Sequence, residues 1–283
     1  MTAQPEILAT VSGLFRYPVK SLRGEMLGAA DVSVSGMAGD RVWAFRDVER
    51  NQITSAKRSP LLLQISAKLH KDGQANLLLP SGETVRTDAP DCADIVSNFI
   101  GRPQVLFGLR PATDTAHFAR APIAPEKFET YVREMAGLEA GETLPDYSKF
   151  PPDVLMNATV PGTYFDGATI HIILASELRQ LQDGLPGAMV DATRFRPNIV
   201  LNDLAAPLAS DDLIGATLQI GSAIVRIDYM TPRCSMTTHE QGQLARAPQI
   251  MRRLVRDWKH NFGVYGAVAR EGQIRIGDQV TSA

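Results

Sequence analysis

The chain has 283 residues, 44% of them hydrophobic, and a formal net charge of −2. That is enough apolar material for one large core or two linked smaller ones. The charge is too near balance for a general attraction to nucleic acid or an anionic membrane surface. Two cysteines exclude a disulfide framework, and no stretch approaches the roughly 20 apolar residues that a spanning helix requires.

The opening "MTAQPEILATVSGLF" lacks the basic and apolar regions of an export signal, so a cytoplasmic protein is expected. The first hundred residues read mostly as strands. "VSGLFRYPV" alternates and stops at Pro18, "DVSVSGMAGDRVWAFRD" is strand-like around a glycine-rich turn, and "VERNQITSA" suggests a hairpin return. "LQISAKLHKDGQANLLLP" reads as a second hairpin, turning at Lys71-Asp72-Gly73. Strands this short and this closely spaced suggest a barrel or a strongly curved sheet. In "DAPDCADIVSNFIG" a helix is expected between an Asp91 cap and a Gly101 stop, with Cys92, Ile95, Val96 and Phe99 on one face. Cys92 is then a packing residue.

Residues 110–162 become rich in proline, alanine and acids. "PEKFETYVREMAG" reads as one amphipathic helix through Phe128, Tyr131, Val132 and Met135, and the region as a connection between two halves. The second half opens with a strand, "ATIHIILA", and a helix, "SELRQLQDGLPG", with Ser176 as its expected cap. "TRFRPNIVLN" and "ATLQIGSAIVRIDYM" read as strands, and the second delivers the chain to Cys234. "PQIMRRLVRDWKHNFG" carries Met251, Leu254, Val255 and Trp258 on one helical face, and "GQIRIGDQV" closes as a strand.

The familiar catalytic signatures are missing: no G-x-S-x-G, Walker loop, H-E-x-x-H, C-x-x-C or dinucleotide glycine pattern occurs. The histidines at 70, 117, 171, 239 and 260 lack metal-ligand spacing. What remains is "YMTPRCSMTTHE", with a thiol at a strand end beside Arg233 and behind the rigid Pro232. A neighbouring guanidinium favours thiolate, which is a nucleophile or a soft metal ligand. An inert cysteine buried where a strand ends is the competing reading. If "RFRPNIVL" is extended, Arg194, Arg196 and Asn198 share a face. "RYPVKS" places Lys20 and Ser21 just past a strand, and "GDRVW" places Arg41 at the start of another. Such residues are ordinarily solvated rims; converging on the cysteine, they would suit a phosphorylated anionic cofactor with a soft metal.

"YPVKS", "GDRVW", "RFRPNIVL", "RCSMTT" and "IRIGDQV" stand in the order and approximate spacing of MOSC-domain proteins that carry an N-terminal β-barrel domain. "PGTYFDGATIHIILASEL" is similar to the opening of the MOSC domain. The resemblance to this family, which includes the amidoxime-reducing components, spans about residues 8–108 and 160–281. It implies a mainly β, α+β protein: an N-terminal barrel over 1–109, a connecting region with one helix over 110–162, and a helix-decorated MOSC barrel over 163–283.

By the same resemblance the chain binds the molybdenum cofactor, a pyranopterin dithiolene with one phosphate, and Cys234 ligates the metal. Lys20, Ser21, Arg41, Arg196, Asn198 and Arg233 would hold the cofactor, with Arg194 beside them on the shared face. Ser176 matches only with a one-residue gap, and "TSAKRSP" offers Lys57 or Arg58 to the pterin. Thr237 and Thr238 either orient bound oxygen or are simply β-favouring residues. The implied activity is two-electron reduction of small N-hydroxylated or N-oxide compounds. Electrons are expected from a separate protein, ferredoxin-like or a flavin reductase system, and neither nucleic acid nor membrane is expected as a partner. Two alternatives stay open: a cofactor carrier or sulfur-transfer module, and a barrel that binds no metal.

Overall fold

The computed structural model describes residues 6–203 and 208–283. Ten short strands and a helix make up the first part. They are β1 (Ile7–Arg16), β2 (Glu25–Met26), β3 (Ala29–Ser33), β4 (Gly36–Met37), β5 (Trp43–Asp47), β6 (Gln52–Ile53), β7 (Ser66–Leu69), β8 (Ala75–Leu78), β9 (Thr84–Arg86), α1 (Cys92–Ile100) and β10 (Gln104–Gly108). Three helices follow, α2 (Thr115–Phe118), α3 (Pro125–Ala136) and α4 (Pro152–Met156). The remainder is β11 (Ile170–Leu174), α5 (Ala175–Asp183), β12 (Ile199–Asp203), β13 (Thr217–Ile220), β14 (Ala223–Pro232), α6 (Pro248–Trp258), β15 (Asn261–Arg270), β16 (Gly272–Arg275) and β17 (Gln279–Ser282).

The chain is mainly β with α, as expected. β12, β11, β15, β14, β13, β17 and β1 pair in that order, and β1 returns to β12 to close a barrel. All contacts in it are antiparallel except β11 with β12. Alternation sets the inward face. Val11, Leu14, Ile172, Leu201, Leu218, Val225, Val264 and Val280 point inward and form one core. Each such side chain contributes about 1.5–3 kcal/mol when buried.

Six of the remaining strands form β10-β5-β6 and β7-β8-β9 sheets with both expected hairpins, and Gly73 supplies the left-handed turn residue. Their core holds Phe45, Leu62, Leu63, Leu77, Cys92 and Val96, and it also takes in Met236 from the second half. The loop after β14 is therefore plugged into the first half. Helix α1 runs as expected from Asp91 to a left-handed Gly101, although the Asp91 side chain makes no capping hydrogen bond.

Three local expectations change. "TRFRPNIVLN" is extended only from Ile199: residues 192–194 make a 3₁₀ turn and Arg196 adopts φ +57°. Arg194 and Arg196 therefore do not share a strand face; Pro197 removes a ladder donor at the point where a strand would begin. Ser176 is not a cap, because α5 starts at Ala175 with Leu174 in the cap position. Residues 110–162 hold three helices rather than one. Strands of the first half also pair with the second, β1 with β12 and β3 with β16.

Candidate functional site

A cavity of about 460 Å³ lies where the 125–156 segment, the first-half turns and the barrel strands meet. Its lining includes Cys234, six basic side chains (Arg41, Lys57, Arg120, Arg194, Arg196 and Arg233) and one carboxylate, Asp166. Cys234 is half-buried with extended backbone and stands immediately before the 3₁₀ turn Ser235–Thr238. That turn is fixed locally. The Thr237 hydroxyl donates to the Cys234 carbonyl at 3.1 Å and the Thr238 hydroxyl to Ser235 at 2.8 Å, so both serve the loop's own backbone.

Backbone strain concentrates here. Ser21, Arg41 and Arg196 all have positive φ, a conformation that non-glycine residues seldom adopt and that clusters at functional sites. Buried Asp40 ties two of the strained segments together. Its carboxylate accepts from the Tyr17 backbone at 2.7 Å, from the Asn198 amide at 2.7 Å and from the Arg41 guanidinium. Arg41 and Arg196 both stack on Tyr17, at 4.9 and 4.3 Å from its centroid. Burial and then the Arg41 charge lower Arg196 to about 10, which leaves it protonated at neutral pH.

His171 links the two sides of this arrangement. Its Nδ1 faces the Arg196 carbonyl at 3.3 Å, an acceptor, so Nδ1 carries the proton and Nε2 accepts from Arg233 Nη1 at 3.4 Å. Burial and the adjacent Arg233 hold His171 well below its ordinary value, so it stays neutral. Arg233 also donates to the Phe195 carbonyl at 2.7 Å.

On the first-half side, Lys20 donates to Asp166 at 2.5 Å and to the Tyr164 carbonyl at 3.2 Å. Against the cost of burial, Lys20, Lys57 and Arg41 hold the Asp166 carboxyl well below the usual range. Asp166, opposed by burial, and then Cys234 push the Lys57 amine above its ordinary value, so it is a fixed positive charge near the sulfur.

The expected site residues fall into three groups. Arg41, Lys57, Arg194, Arg196, Asn198, Arg233 and Cys234 line the one cavity. Lys20 and Arg58 line an adjoining hollow of about 50 Å³, which shares Lys57, Arg120 and Asp166 with the first. Ser21 and Ser176 line neither. Ser21 lies behind the wall, accepting from the Ala56 backbone at 3.0 Å and so holding the turn that presents Lys57. Ser176 is the second residue of α5.

Two of the lining residues are committed elsewhere. Arg194 gives its guanidinium to the carbonyls of Met189, Thr237, His239 and Ala245, which staples the cysteine loop. The Asn198 amide is engaged at both ends, donating to Asp40 and accepting from the His171 backbone. Sequence reasoning missed Asp166, His171, Arg120, Tyr147, Phe150 and Tyr265. A histidine inside the otherwise apolar "ATIHIILA" was a usable signal; the others carried none.

A donor-hungry guest fits this wall. Arg196 Nη2 and Arg233 Nε are buried with no hydrogen-bond partner among the described residues. Such groups cost about 1–3 kcal/mol each unless something accepts from them. The donor set is one thiol, and no group of three or more His, Cys, Asp or Glu among the described residues could hold a metal. A metal here would take one soft ligand from the chain and bring the others with it, as a dithiolene does. The residues present thus fit an anionic pterin dithiolene.

Residues 161–281 match the MOSC domain, and residues 8–102 match the MOSC N-terminal beta barrel domain. The chain belongs to the MOSC-domain proteins that carry this N-terminal barrel. It is 23% identical to mitochondrial amidoxime reducing component 2 of Bos taurus, over 96% of this chain and 83% of that protein. It is 24% identical to mitochondrial amidoxime-reducing component 1 of Homo sapiens, over 96% and 82% respectively. Among solved structures, the YUAD protein of Bacillus subtilis superposes with a TM-score of 0.44 at 11% identity, covering 97% of this chain and 94% of that one. No helix among the described residues is long and apolar enough to cross a membrane.

Proposed function

We propose that the protein is a molybdenum-cofactor-dependent reductase that removes oxygen from N-hydroxylated or N-oxide compounds. The observation that carries this reading is the half-buried Cys234 thiol on the wall of a cavity ringed by cations from both halves of the chain. The similarity to amidoxime-reducing components along nearly the whole chain supports it.

Cys234 Sγ would be the protein's ligand to molybdenum. Arg196 and Arg233 would direct their unpartnered N–H groups at the cofactor's anionic and acceptor atoms. Arg41 and Lys57 add positive charge, and Lys20 and Arg58 supply more from the adjoining hollow. When bound, the cofactor supplies the two-electron chemistry at molybdenum by which oxygen leaves nitrogen. Overall, two electrons and two protons convert N–OH to N–H and water. Lys57 Nζ holds its proton tightly, so it acts as a standing charge and the consumed protons come from solvent. The electrons would come from a separate ferredoxin-like or flavin-dependent protein. The two unpaired cysteines suit a reducing compartment such as the cytoplasm.

The test is metal and pterin analysis of the purified protein, followed by benzamidoxime reduction with an artificial electron donor. Molybdenum and turnover are expected, and Cys234→Ala abolishes turnover and weakens metal retention whereas Cys92→Ala keeps the metal. Molybdenum without turnover would mark a carrier instead, and equal effects of the two substitutions would refute the ligand assignment.

A further inference from the structure

The cavity has a second wall that the cofactor reading leaves unused. Its lining includes the rings of Tyr147, Phe150 and Tyr265. Tyr147 meets Phe150 edge-on at 5.7 Å, and Phe150 lies 4.6 Å from Tyr229 and 6.3 Å from Tyr265, the last at 82°. Tyr229 and Tyr265 sit on the neighbouring strands β14 and β15, with rings 5.9 Å apart.

The cluster is fixed in place. The Tyr229 hydroxyl donates to the Gly167 carbonyl at 2.9 Å. Tyr265 lies so close over Gly167 that a Cβ there would come within 2.6 Å of the ring, so only glycine admits it. The wall belongs to the same cavity as the thiol, since Tyr147, Tyr265 and Cys234 all line it. These surfaces offer rings and hydrocarbon where an anionic cofactor needs N–H donors. Edge-to-face packing favours another flat ring beyond the area it buries.

We propose that Tyr147, Phe150 and Tyr265 form a substrate subsite that selects N-hydroxylated compounds carrying an aryl group over their small alkyl counterparts. The inference rests on the reductase reading and deepens it: the cationic wall holds what does the chemistry, and the aromatic wall decides what is presented to it. Phe150 is the specificity-determining residue, because its ring contacts the other three. It is half-buried and belongs to none of the buried cores, so its truncation leaves the fold intact.

The experiment compares kcat/KM for benzamidoxime and acetamidoxime in the holoprotein with an artificial donor, alongside titration of both compounds without reductant. Wild-type protein prefers the aryl compound by roughly tenfold or more. Phe150→Ala removes most of that ratio through KM, and it weakens benzamidoxime binding by a similar factor. Turnover of both substrates without aryl preference, or a ratio unchanged in Phe150→Ala, overturns the inference and leaves the reductase reading standing. If neither compound is reduced, the reductase reading fails, and the titration alone decides. Tighter binding of the aryl compound that depends on Phe150 then supports the subsite, and equal binding overturns it.

Discussion

Cys92 and Cys234 share a chemistry and differ in every surrounding. Cys92 packs on the inner face of α1 at 1% exposure, where burial, and then Asp91 and Asp88, push its thiol up to about 11. Cys234 opens on a cavity. Cofactor-free protein treated with iodoacetamide near pH 8 should therefore be alkylated at Cys234 at least tenfold faster than at Cys92, and denaturant should erase the difference. Peptide mass mapping reads the outcome; faster labelling of Cys92 in the folded protein would contradict the burial assignments. At this scale much of the site was legible. Arg41 and Lys20 could be found because turn and proline signals placed them at strand ends. The role of Arg194 and Asn198 resisted for a physical reason: their side chains are consumed by carbonyls and a carboxylate brought in from 43 to 183 residues away along the chain. No local pattern reports such partners.

Helix α3 was visible through its apolar spacing, yet the spacing says only that one face is covered, not by what. That face, with Phe128, Tyr131, Val132 and Met135, lines the cavity, and the helix's C-terminal end meets the loop that carries Cys234. Gly137 ends α3 in a left-handed conformation, and a Cβ there would stand 3.2 Å from Ser235 Cβ. The segment is held down from the other side by Arg252 of α6, whose guanidinium reaches the Gly137 carbonyl and the Glu142 carboxylate. A partly buried charge-assisted contact of this kind contributes about 1.5–3 kcal/mol. Arg252→Ala should therefore raise amide exchange over residues 137–150 by roughly tenfold while the barrel strands stay protected. Unchanged exchange in that segment would mean that α3 is anchored by its apolar face alone. The 3₁₀ turn at residues 192–194 was misread for the converse reason: alternating polarity imitates a strand, while Pro197 and the left-handed Arg196 break it.

For the molecule as a whole, three buried histidines bias stability toward neutral pH. Burial first, and neighbouring arginines second or further down, lower His117 and His171, and burial likewise lowers His260. Below the ordinary histidine value the unfolded chain takes up protons that the folded chain refuses, so stability falls as pH drops and is flat above about 7. Each group accounts for up to about 1.4 kcal/mol per pH unit, measurable by urea unfolding at pH 7.5 and 5.5. A midpoint independent of pH across that window would show the rings to be hydrated. Strand spacing pointed to a barrel or curved sheet in the first hundred residues, whereas the barrel that closes is built from second-half strands and β1; its closure was not legible, because alternation names a buried face and never the partner strand. That closure joins the chain's two extremes: β1 is seated between β12 and β17, with Ala9 opposite Asp203 and Val280. A nascent polypeptide must keep this stave waiting until β17 has been synthesised. Residues 161–283 expressed alone would carry two raw sheet edges and precipitate. A synthetic peptide of residues 6–17 should rescue them, as a donated strand completes a pilus subunit.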